Sequence, residues 1–234
     1  MTWRDSWVST ARLARLLTVE DRCTQGMYLE LGSGSLEQWV ERSAVLEQLD
    51  GVQRVTWWEN CVPRRKDLPM KIEDGSTLVV AEVDEVFSPP AAPESLSVVN
   101  AHHFRRHSRP SQGILSGHPT KGLLVVWISP RTLELASRLR DWGDFVHIRH
   151  IAAAGIPGFT QISVFENVKA VDPMYMHFYE FDSDEPEKTF STMTHFVAPR
   201  LGGFDSEEFA AWADWREPGG RLFYCNTFRL LGEV

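Results

Sequence analysis

Short apolar runs alternate along this chain with longer segments of helical periodicity. The runs 27–31 and 123–128 are apolar and are each closed by a Ser/Gly or Ser/Pro turn, which is typical of buried strands. The apolar residues after the first run recur near helical spacing: Leu36, Trp39, Val40, Val45, Leu46 and Leu49. Ser35 stands just before them and can cap the helix. The pattern predicts a strand followed by an amphipathic helix.

A similar pattern follows in the C-terminal half. A helix is predicted to begin after Ser129-Pro130, with an apolar stripe formed by Leu133, Leu135, Ala136, Leu139 and Trp142. The acidic segment 184–187 favours the start of a second helix, because acidic residues stabilise a helix N-terminus. Residues 207–215 are predicted to form a further helix before the last strand.

Local similarities occur in the same order in both halves. Residues 50–60 align without a gap with residues 157–167, so that Gly, Glu and Asn coincide. Residues 77–84 and 174–182 are predicted third strands, and both end in Glu-x-Asp. Weaker similarities mark the first and fourth strands: 27–31 with 123–128, and Phe104-Arg105 with Phe228-Arg229. Four matches in one order favour an internal duplication over coincidence.

The repeat predicts an α+β protein made of two tandem ferredoxin-like β-α-β-β-α-β units. One unit covers one face of its sheet with helices and leaves the other face in need of a partner, which the antiparallel sheet of the second unit supplies. The predicted organisation is a helical extension at 1–24, a first unit at 25–110, a Pro/Gly/Ser-rich linker at 111–121 and a second unit at 122–234.

The segment from Trp142 to His147, followed by Pro157-Gly158-Phe159, resembles the EthD-like dimeric α+β barrel proteins. The resemblance covers residues 122–230, and through the repeat it extends to 25–108. It implies two sheets packed as a barrel. Proteins of this kind include cofactor-free monooxygenases, isomerases, dehydratases and degradation accessory proteins, with haem-binding relatives further away. The acidic residue often found shortly after the His is replaced here by Arg149-His150.

Composition narrows the classes of partner. The net charge of -8 and the pI near 5.5 disfavour nucleic acid. No apolar run approaches the roughly 20 residues of a membrane helix, and the first residues lack the apolar core of a signal peptide. The cysteines Cys23, Cys61 and Cys225 lack metal-site spacing. We therefore expect a soluble cytoplasmic protein without a metal, a cofactor or a membrane partner.

His147 and His150 are the candidate catalytic residues. They lie three positions apart and share one side of a helix if it continues that far, so one is a candidate base and the other its orienting partner. The alternative is a pair of helix-end histidines stabilised by the helix dipole. Counted from Trp39, the first copy has Ala44 at the place of His147, which confines any histidine site to the second copy.

Alternation along the third strand of the second copy places Tyr175, His177 and Tyr179 on one face. An aromatic face with polar tips suits an apolar ligand that carries a hydroxyl or keto group. Trp142 and Phe159 complete the predicted substrate-binding set. The alternative is a barrel interface in which the polar tips satisfy one another, and the opposite, apolar face is expected beneath the helices.

Three hypotheses about function stay open at this point. The first is a cofactor-free enzyme acting on a hydrophobic oxygenated molecule, with His147 as the base. The second is a non-catalytic carrier or sensor that uses the same pocket, and the third is a structural pseudo-dimer. The basic stretch 102–109 leaves an anionic ligand open. A homodimer is also expected, because exposed sheet edges favour pairing.

Overall fold

The computed structural model describes residues 24–91, 93, 96–113 and 118–234. The helical extension predicted for residues 1–24 lies outside the described residues, apart from Thr24. The N-terminal half contains β1 (Gly26–Ser33), α1 (Leu36–Glu47), β2 (Val52–Asn60), β3 (Thr77–Val83) and β4 (Ser97–Arg106). These strands are antiparallel and lie in the order β4-β1-β3-β2. The predicted cap of α1 is confirmed, because Ser35 and Gln38 exchange side-chain to backbone hydrogen bonds.

The C-terminal half repeats this order with more helical structure. The predicted linker contains the short strand β5 (Gln112–Gly113). Then come β6 (Gly122–Pro130), α2 (Ala136–Trp142), a π-helical turn (Gly143–Ile148), α3 (Arg149–Ala152), β7 (Phe159–Asn167), β8 (Tyr175–Phe181), α4 (Pro186–Val197), α5 (Glu207–Ala213) and β9 (Gly220–Glu233). Two 3₁₀ segments, Leu133–Leu135 and Ala198–Leu201, precede α2 and follow α4. The long strands lie in the order β9-β6-β8-β7.

Two seams close the eight long strands into a barrel. β2 pairs with β9 and β4 pairs with β7, and both pairings are antiparallel. Each long strand therefore has a neighbour on both sides. Among the described residues the β4–β7 seam comprises three residue pairs, from Phe104–Asn167 to Arg106–Phe165, so closure shortens the free sheet edges that the sequence suggests as the reason for a homodimer. A homodimer stays a prediction.

Residues that the sequence repeat aligns with each other have equivalent pairing partners in the two sheets. Met27 pairs with Phe104 in the N-terminal half, as Leu123 pairs with Phe228 in the C-terminal half. Both first-to-fourth strand pairs also shift register at corresponding places, after Leu31 and after Trp127 respectively. The pair β2–β3 and the pair β7–β8 also shift register at corresponding places, near the start of β2 and of β7: Val52/Arg54 and Phe159/Gln161.

The coincident glycines form the same turn in both halves. Gly51 and Gly158 have φ angles of 82° and 79°, in the left-handed region that favours glycine. The carbonyl oxygen of Gly51 accepts a hydrogen bond of 2.8 Å from the backbone N–H of Asp84. Gly158 accepts the corresponding bond of 3.0 Å from Asp182. The shared Gly and the shared terminal Asp of the third strands therefore belong to one local structure.

The coincident Glu and Asn residues also have structural roles. Glu59 forms an ion pair with Arg229 across one seam, and Glu166 pairs with Arg105 across the other, at 3.4 Å. These arginines are those of the repeated Phe-Arg pair. Each Asn closes the turn after its strand: the side-chain oxygens of Asn60 and Asn167 accept backbone hydrogen bonds of 2.9 Å from Val62 and Lys169.

The barrel interior is filled with side chains, as an eight-stranded barrel allows. Its apolar cluster includes Leu29, Trp58, Val80, Trp127, Met176 and Phe178. Met176 and Phe178 thus face the barrel interior, whereas Tyr179 packs in a separate cluster with residues of α4 and α5. The expectation for the two faces of β8 was wrong: the aromatic face lies beneath the helices, and the apolar face lines the barrel.

The described residues of the N-terminal half contain no counterpart of the second helix that the repeat predicts. The described residues between β3 and β4 form turns and irregular structure, whereas residues 182–219 of the C-terminal half contain α4 and α5. Pro89, Pro90 and Pro93 account for the difference, since proline lacks the N–H donor and disfavours helix in the preceding residue. Phe87 packs its ring 5.3 Å from that of Tyr28 instead.

A buried ion pair fixes α1 to the N-terminal sheet. The side chains of Arg42 and Glu30 are 6% and 0% exposed, and the guanidinium donates to the carboxylate at 2.9 and 2.5 Å. The Tyr28 hydroxyl donates to the same carboxylate at 2.7 Å. Burial and the neighbouring carboxylate raise the pKa of Tyr28 well above its usual value, so its hydroxyl stays neutral.

We expect Arg42→Met to lower the free energy of unfolding by about 3–5 kcal/mol, because it leaves Glu30 charged and unpaired in the core. Arg229→Met removes an exposed seam pair that solvent screens, and it should leave the free energy of unfolding close to that of the wild type. Urea unfolding monitored by tryptophan fluorescence measures both. Equal losses in the two variants would contradict the assignment of Arg42 as a buried anchor.

Candidate functional site

A cavity of about 350 Å³ lies between the outer face of the C-terminal sheet and its helices. Its floor consists of outward-facing strand residues: Leu124, Val126, Ile128, His177, Tyr179, Leu222 and Cys225. The helices and the segment after α5 supply the opposite wall: Trp142, His147, Phe190, Ser191, Met193, Thr194, Trp212, Ala213 and Trp215. This volume lies in the range of small-molecule sites.

His147 projects from the π-helical turn and is stacked between two indoles. Its ring centroid lies 4.8 Å from that of Trp142 and 5.0 Å from that of Trp212, with interplanar angles of 26° and 16°. Nδ1 lies 3.0 Å from the backbone carbonyl oxygen of Trp212, and the Trp212 indole N–H donates to the backbone oxygen of His147 at 3.0 Å. A carbonyl can only accept, so Nδ1 carries the proton and Nε2 is the acceptor.

Burial lowers the pKa of His147 to about 4, although the bond to the Trp212 carbonyl opposes the shift and favours the proton. The imidazole is therefore neutral near pH 7. Within the described part of the chain, Nε2 has no hydrogen-bond partner, and the indoles cover both ring faces. A ligand can therefore reach His147 at the ring edge that carries Nε2.

The π-helical turn is positioned by contacts on both sides. A Cβ atom on Gly143 would lie 3.3 Å from Cε1 of His177, so glycine allows the turn to approach β8 closely. On the other side, Arg109 forms an ion pair of 2.5 Å with the buried carboxylate of Asp144, and the Gln112 side chain donates to the Asp144 carbonyl at 2.8 Å. The segment between the two halves thus holds the turn that carries His147.

His177 and Tyr179 present polar groups from the floor. They are 8% and 2% exposed, and within the described residues neither side chain has a hydrogen-bond partner. Burial, and secondarily the neighbouring His147, lowers the pKa of His177 to about 3. Burial raises the pKa of the Tyr179 hydroxyl, so both groups are neutral at physiological pH. Buried polar groups without partners are candidates for contact with a bound molecule.

One wall of the cavity comes from the N-terminal half. The loop 61–76 crosses to β9, where the backbone N–H groups of Lys71 and Ile72 donate to the Phe223 carbonyl at 2.9 and 3.2 Å. This crossing loop places Leu68 in the lining. Arg65, whose side chain is 3% exposed, fixes the loop by donating to Asn226 at 3.1 Å and pairing with Glu187.

The N-terminal half has no counterpart of this site at the same place in its sheet. By register, Val79 and Ala81 occupy the positions of His177 and Tyr179. The space above them is filled by Trp39 and by the ion pair of Glu30 with Arg42. The sequence-based expectation that any histidine site is confined to the second copy stays a prediction.

The structure brings together four of the predicted site residues: Trp142, His147, His177 and Tyr179 line one cavity. The others lie elsewhere. His150 is in α3, with its pKa lowered by burial and by the nearby Arg200 and Arg149. Phe159 packs against Phe181, and Tyr175 packs beneath Arg140. Only His147 of the two candidate catalytic histidines lines the cavity, although His150 contributes to the lowering of the pKa of His147.

Several lining residues were not anticipated as site residues. Trp212 and Trp215 lay in a segment that was predicted as helix before the last strand, and Phe190 and Met193 lie on α4. Their aromatic and apolar types are equally typical of a core, so no sequence signal separates the two roles. The contribution of Leu68 depends on a crossing between the halves, which a local pattern does not contain.

Among residues 24–91, 93, 96–113 and 118–234, no group of three or more His, Cys, Asp or Glu side chains could hold a metal ion. The described helices are too short or too polar to span a membrane. The basic stretch 102–109 lies in and after β4, where Arg105 and Arg109 pair with Glu166, Asp141 and Asp144.

No protein-family model and no curated protein matches the chain. Solved structures match most of it. An anthrone oxidase-like protein is 12% identical, with 92% of this chain and 94% of that chain covered and a TM-score of 0.54. A chlorite dismutase variant from Candidatus Nitrospira defluvii, in complex with cyanide, is 10% identical, with 94% of each chain covered and a TM-score of 0.50. This chain has the dimeric α+β barrel fold.

A third dimeric α+β barrel structure is that of a proposed monooxygenase from Fusobacterium nucleatum. It is 6% identical, with 89% of this chain and 92% of that chain covered and a TM-score of 0.50. Identities this low establish the shared fold alone, and a fold does not determine a reaction. In the dimeric α+β barrel described here, one polypeptide supplies both sheets.

The buried neutral histidines predict a loss of stability in acid. In the unfolded chain His177 takes up a proton near pH 6.5, whereas the folded state resists protonation down to about pH 3. The contribution of neutral His177 to the free energy of unfolding is therefore complete above pH 6.5 and declines as the pH falls. Between pH 7 and pH 5 we expect His177 alone to remove about 2 kcal/mol from the free energy of unfolding.

Urea unfolding of His177→Gln at both pH values tests this. The variant should lose about 2 kcal/mol less than the wild type between pH 7 and pH 5. Val171→Gln, at an exposed position without a titratable group, should keep the wild-type pH dependence. If His177→Gln showed the same acid loss as the wild type, the buried neutral state of His177 would be wrong.

Proposed function

We propose that this chain binds a hydrophobic, oxygen-bearing small molecule in the C-terminal cavity. The observation that carries the proposal is the combination of an apolar lining with three unpaired polar groups, on His147, His177 and Tyr179. Apolar surface supplies most of the affinity in such sites, and a few polar groups fix orientation. The third hypothesis, a structural pseudo-dimer, leaves the cavity and its unpaired groups without a role.

We infer that the two halves arose by duplication of one unit and then diverged. The equal registers and the paired seam contacts support this, as do the coincident turns at Gly51 and Gly158. The domain boundaries 25–110 and 122–234 and the EthD-like assignment belong to the same proposal. The second copy keeps this cavity, whereas side chains fill the equivalent place in the first copy, so the first copy acts as a scaffold that lends the crossing loop.

A carrier or sensor role is favoured over base catalysis by the electrostatics of His147. A general base works best when its pKa lies near the working pH. With a pKa of about 4, His147 would hold an abstracted proton at pH 7 at a disadvantage of about 4 kcal/mol. The same group accepts a hydrogen bond without difficulty. Cofactor-free catalysis with His147 as the base is the second candidate, favoured by its unpaired Nε2.

Haem, which more distant relatives of this fold bind, does not fit the residues present. The lining contains no Lys or Arg to neutralise the two propionates of the group. The nearby guanidinium of Arg65 is paired with Glu187 and Asp67. The proposal therefore involves no haem chemistry.

A cytoplasmic location of the protein stays a prediction.

Binding of N-phenyl-1-naphthylamine, a neutral hydrophobic fluorophore, tests the proposed function. We expect the wild-type chain to enhance its fluorescence with one site per chain. Val126→Trp fills the cavity from its floor and should weaken binding at least tenfold, because the probe loses the apolar surface it buries. Fluorescence titration measures both affinities.

Val171→Trp is the matched control, since Val171 is 51% exposed and lies outside the cavity. It should bind the probe like the wild type. Circular dichroism verifies that both variants are folded. Probe binding that is unaffected by Val126→Trp would place the apolar site elsewhere, and absence of binding to the wild type would refute the proposed function.

A further inference from the structure

The lining of the C-terminal cavity contains no formally charged side chain. Its polar members are histidine, tyrosine, serine, threonine, cysteine and tryptophan. The two histidines are neutral for the reasons given above, and burial raises the pKa of the Cys225 thiol to about 12. A molecule in this space therefore meets hydrogen-bonding groups and apolar surface, but no counterion.

One buried cation, Arg65, lies behind the wall of the cavity and is already neutralised. The guanidinium carbon of Arg65 lies 5.3 Å from the ring centroid of Phe190, and Phe190 lines the cavity. Arg65 is paired with Glu187 and Asp67 and bonded to Asn226. A ligand carboxylate or phosphate would have to break these contacts or remain unpaired, and an unpaired buried charge is strongly unfavourable.

The tautomer of His147 adds a directional requirement. Nδ1 is committed to the Trp212 carbonyl, so Nε2 can accept a hydrogen bond but cannot donate one. The stacked indoles prevent the ring from offering a face instead. The complementary ligand group is an O–H or N–H donor. The unpaired Tyr179 hydroxyl can both donate and accept, which suits the oxygen of a hydroxyl group.

Resting on the function proposed above, we propose that the cavity selects electrically neutral molecules with a ring system and a hydroxyl group. That hydroxyl donates to Nε2 of His147, and the apolar frame lies against the aromatic wall. This class contains neutral phenols and ring alcohols. It excludes carboxylates, phosphates and coenzyme A esters from this cavity, because the lining contains no cationic side chain and no residue of the basic stretch 102–109.

Four naphthalene derivatives of similar shape separate charge from donor ability. They are 2-naphthol, 2-methoxynaphthalene, naphthalene and 2-naphthoate, each used at pH 7 to displace N-phenyl-1-naphthylamine from the wild-type chain. We expect 2-naphthol to bind about 2- to 10-fold more tightly than 2-methoxynaphthalene and naphthalene, because only it donates a hydrogen bond. We expect 2-naphthoate to bind at least about thirtyfold more weakly than 2-naphthol.

His147→Phe keeps an aromatic ring between the two indoles and removes the acceptor. In this variant the preference for 2-naphthol over naphthalene should disappear, whereas the rejection of 2-naphthoate should remain. The comparison of 2-naphthol with 2-methoxynaphthalene uses only the wild-type chain. It therefore tests the requirement for a hydrogen-bond donor even if His147→Phe does not fold.

Each outcome has a separate meaning. Equal affinity for 2-naphthoate and 2-naphthol would overturn the selection against charge, and equal affinity for 2-naphthol and 2-methoxynaphthalene would overturn the donor requirement. In both cases fluorophore binding to the wild type would leave the proposed function standing. Failure of the fluorophore itself to bind would instead refute the proposed function, and this inference with it.

Discussion

Closure of the barrel is the constraint on which the other features depend. β2 and β4 of the N-terminal half must find β9 and β7 of the C-terminal half, and both seams are antiparallel. The ion pairs of Glu59 with Arg229 and of Glu166 with Arg105 lie in these seams, but they are partly exposed and contribute little energy. The ladder hydrogen bonds and the interior cluster around Trp58, Trp127 and Phe178 hold the halves together.

A filled interior leaves the outer faces of the sheets as the places where a site can form. The two outer faces have the same strand order and register, yet their covers differ. Over the N-terminal sheet, Trp39 and the Glu30–Arg42 pair occupy the space under α1. Over the C-terminal sheet, a cavity remains between α4 and α5 on one side and β6, β8 and β9 on the other. The difference lies in the connections, since the strands are equivalent.

The fold was predictable because the repeated residues are those that the backbone requires. Gly51 and Gly158 adopt left-handed φ angles, and Asn60 and Asn167 close equivalent turns, so the repeat carries structural information. The site was only partly predictable. Alternation along β8 shows which residues share a face but not which face lies beneath the helices. The contact between His147 and the Trp212 carbonyl joins segments far apart in sequence, and the π-helical turn that carries His147 leaves no local signal.

The central claim is that His147 is a neutral hydrogen-bond acceptor facing a ligand cavity. Two-bond ¹⁵N–¹H correlation spectra of histidine-labelled protein report the protonation of each ring nitrogen directly. The account predicts that from pH 8 to pH 5.5 His147 keeps the neutral form with the proton on Nδ1, and that addition of 2-naphthol shifts its Nε2 resonance. A protonated ring at pH 5.5, a proton on Nε2, or an Nε2 resonance that does not respond to a bound ligand would contradict it.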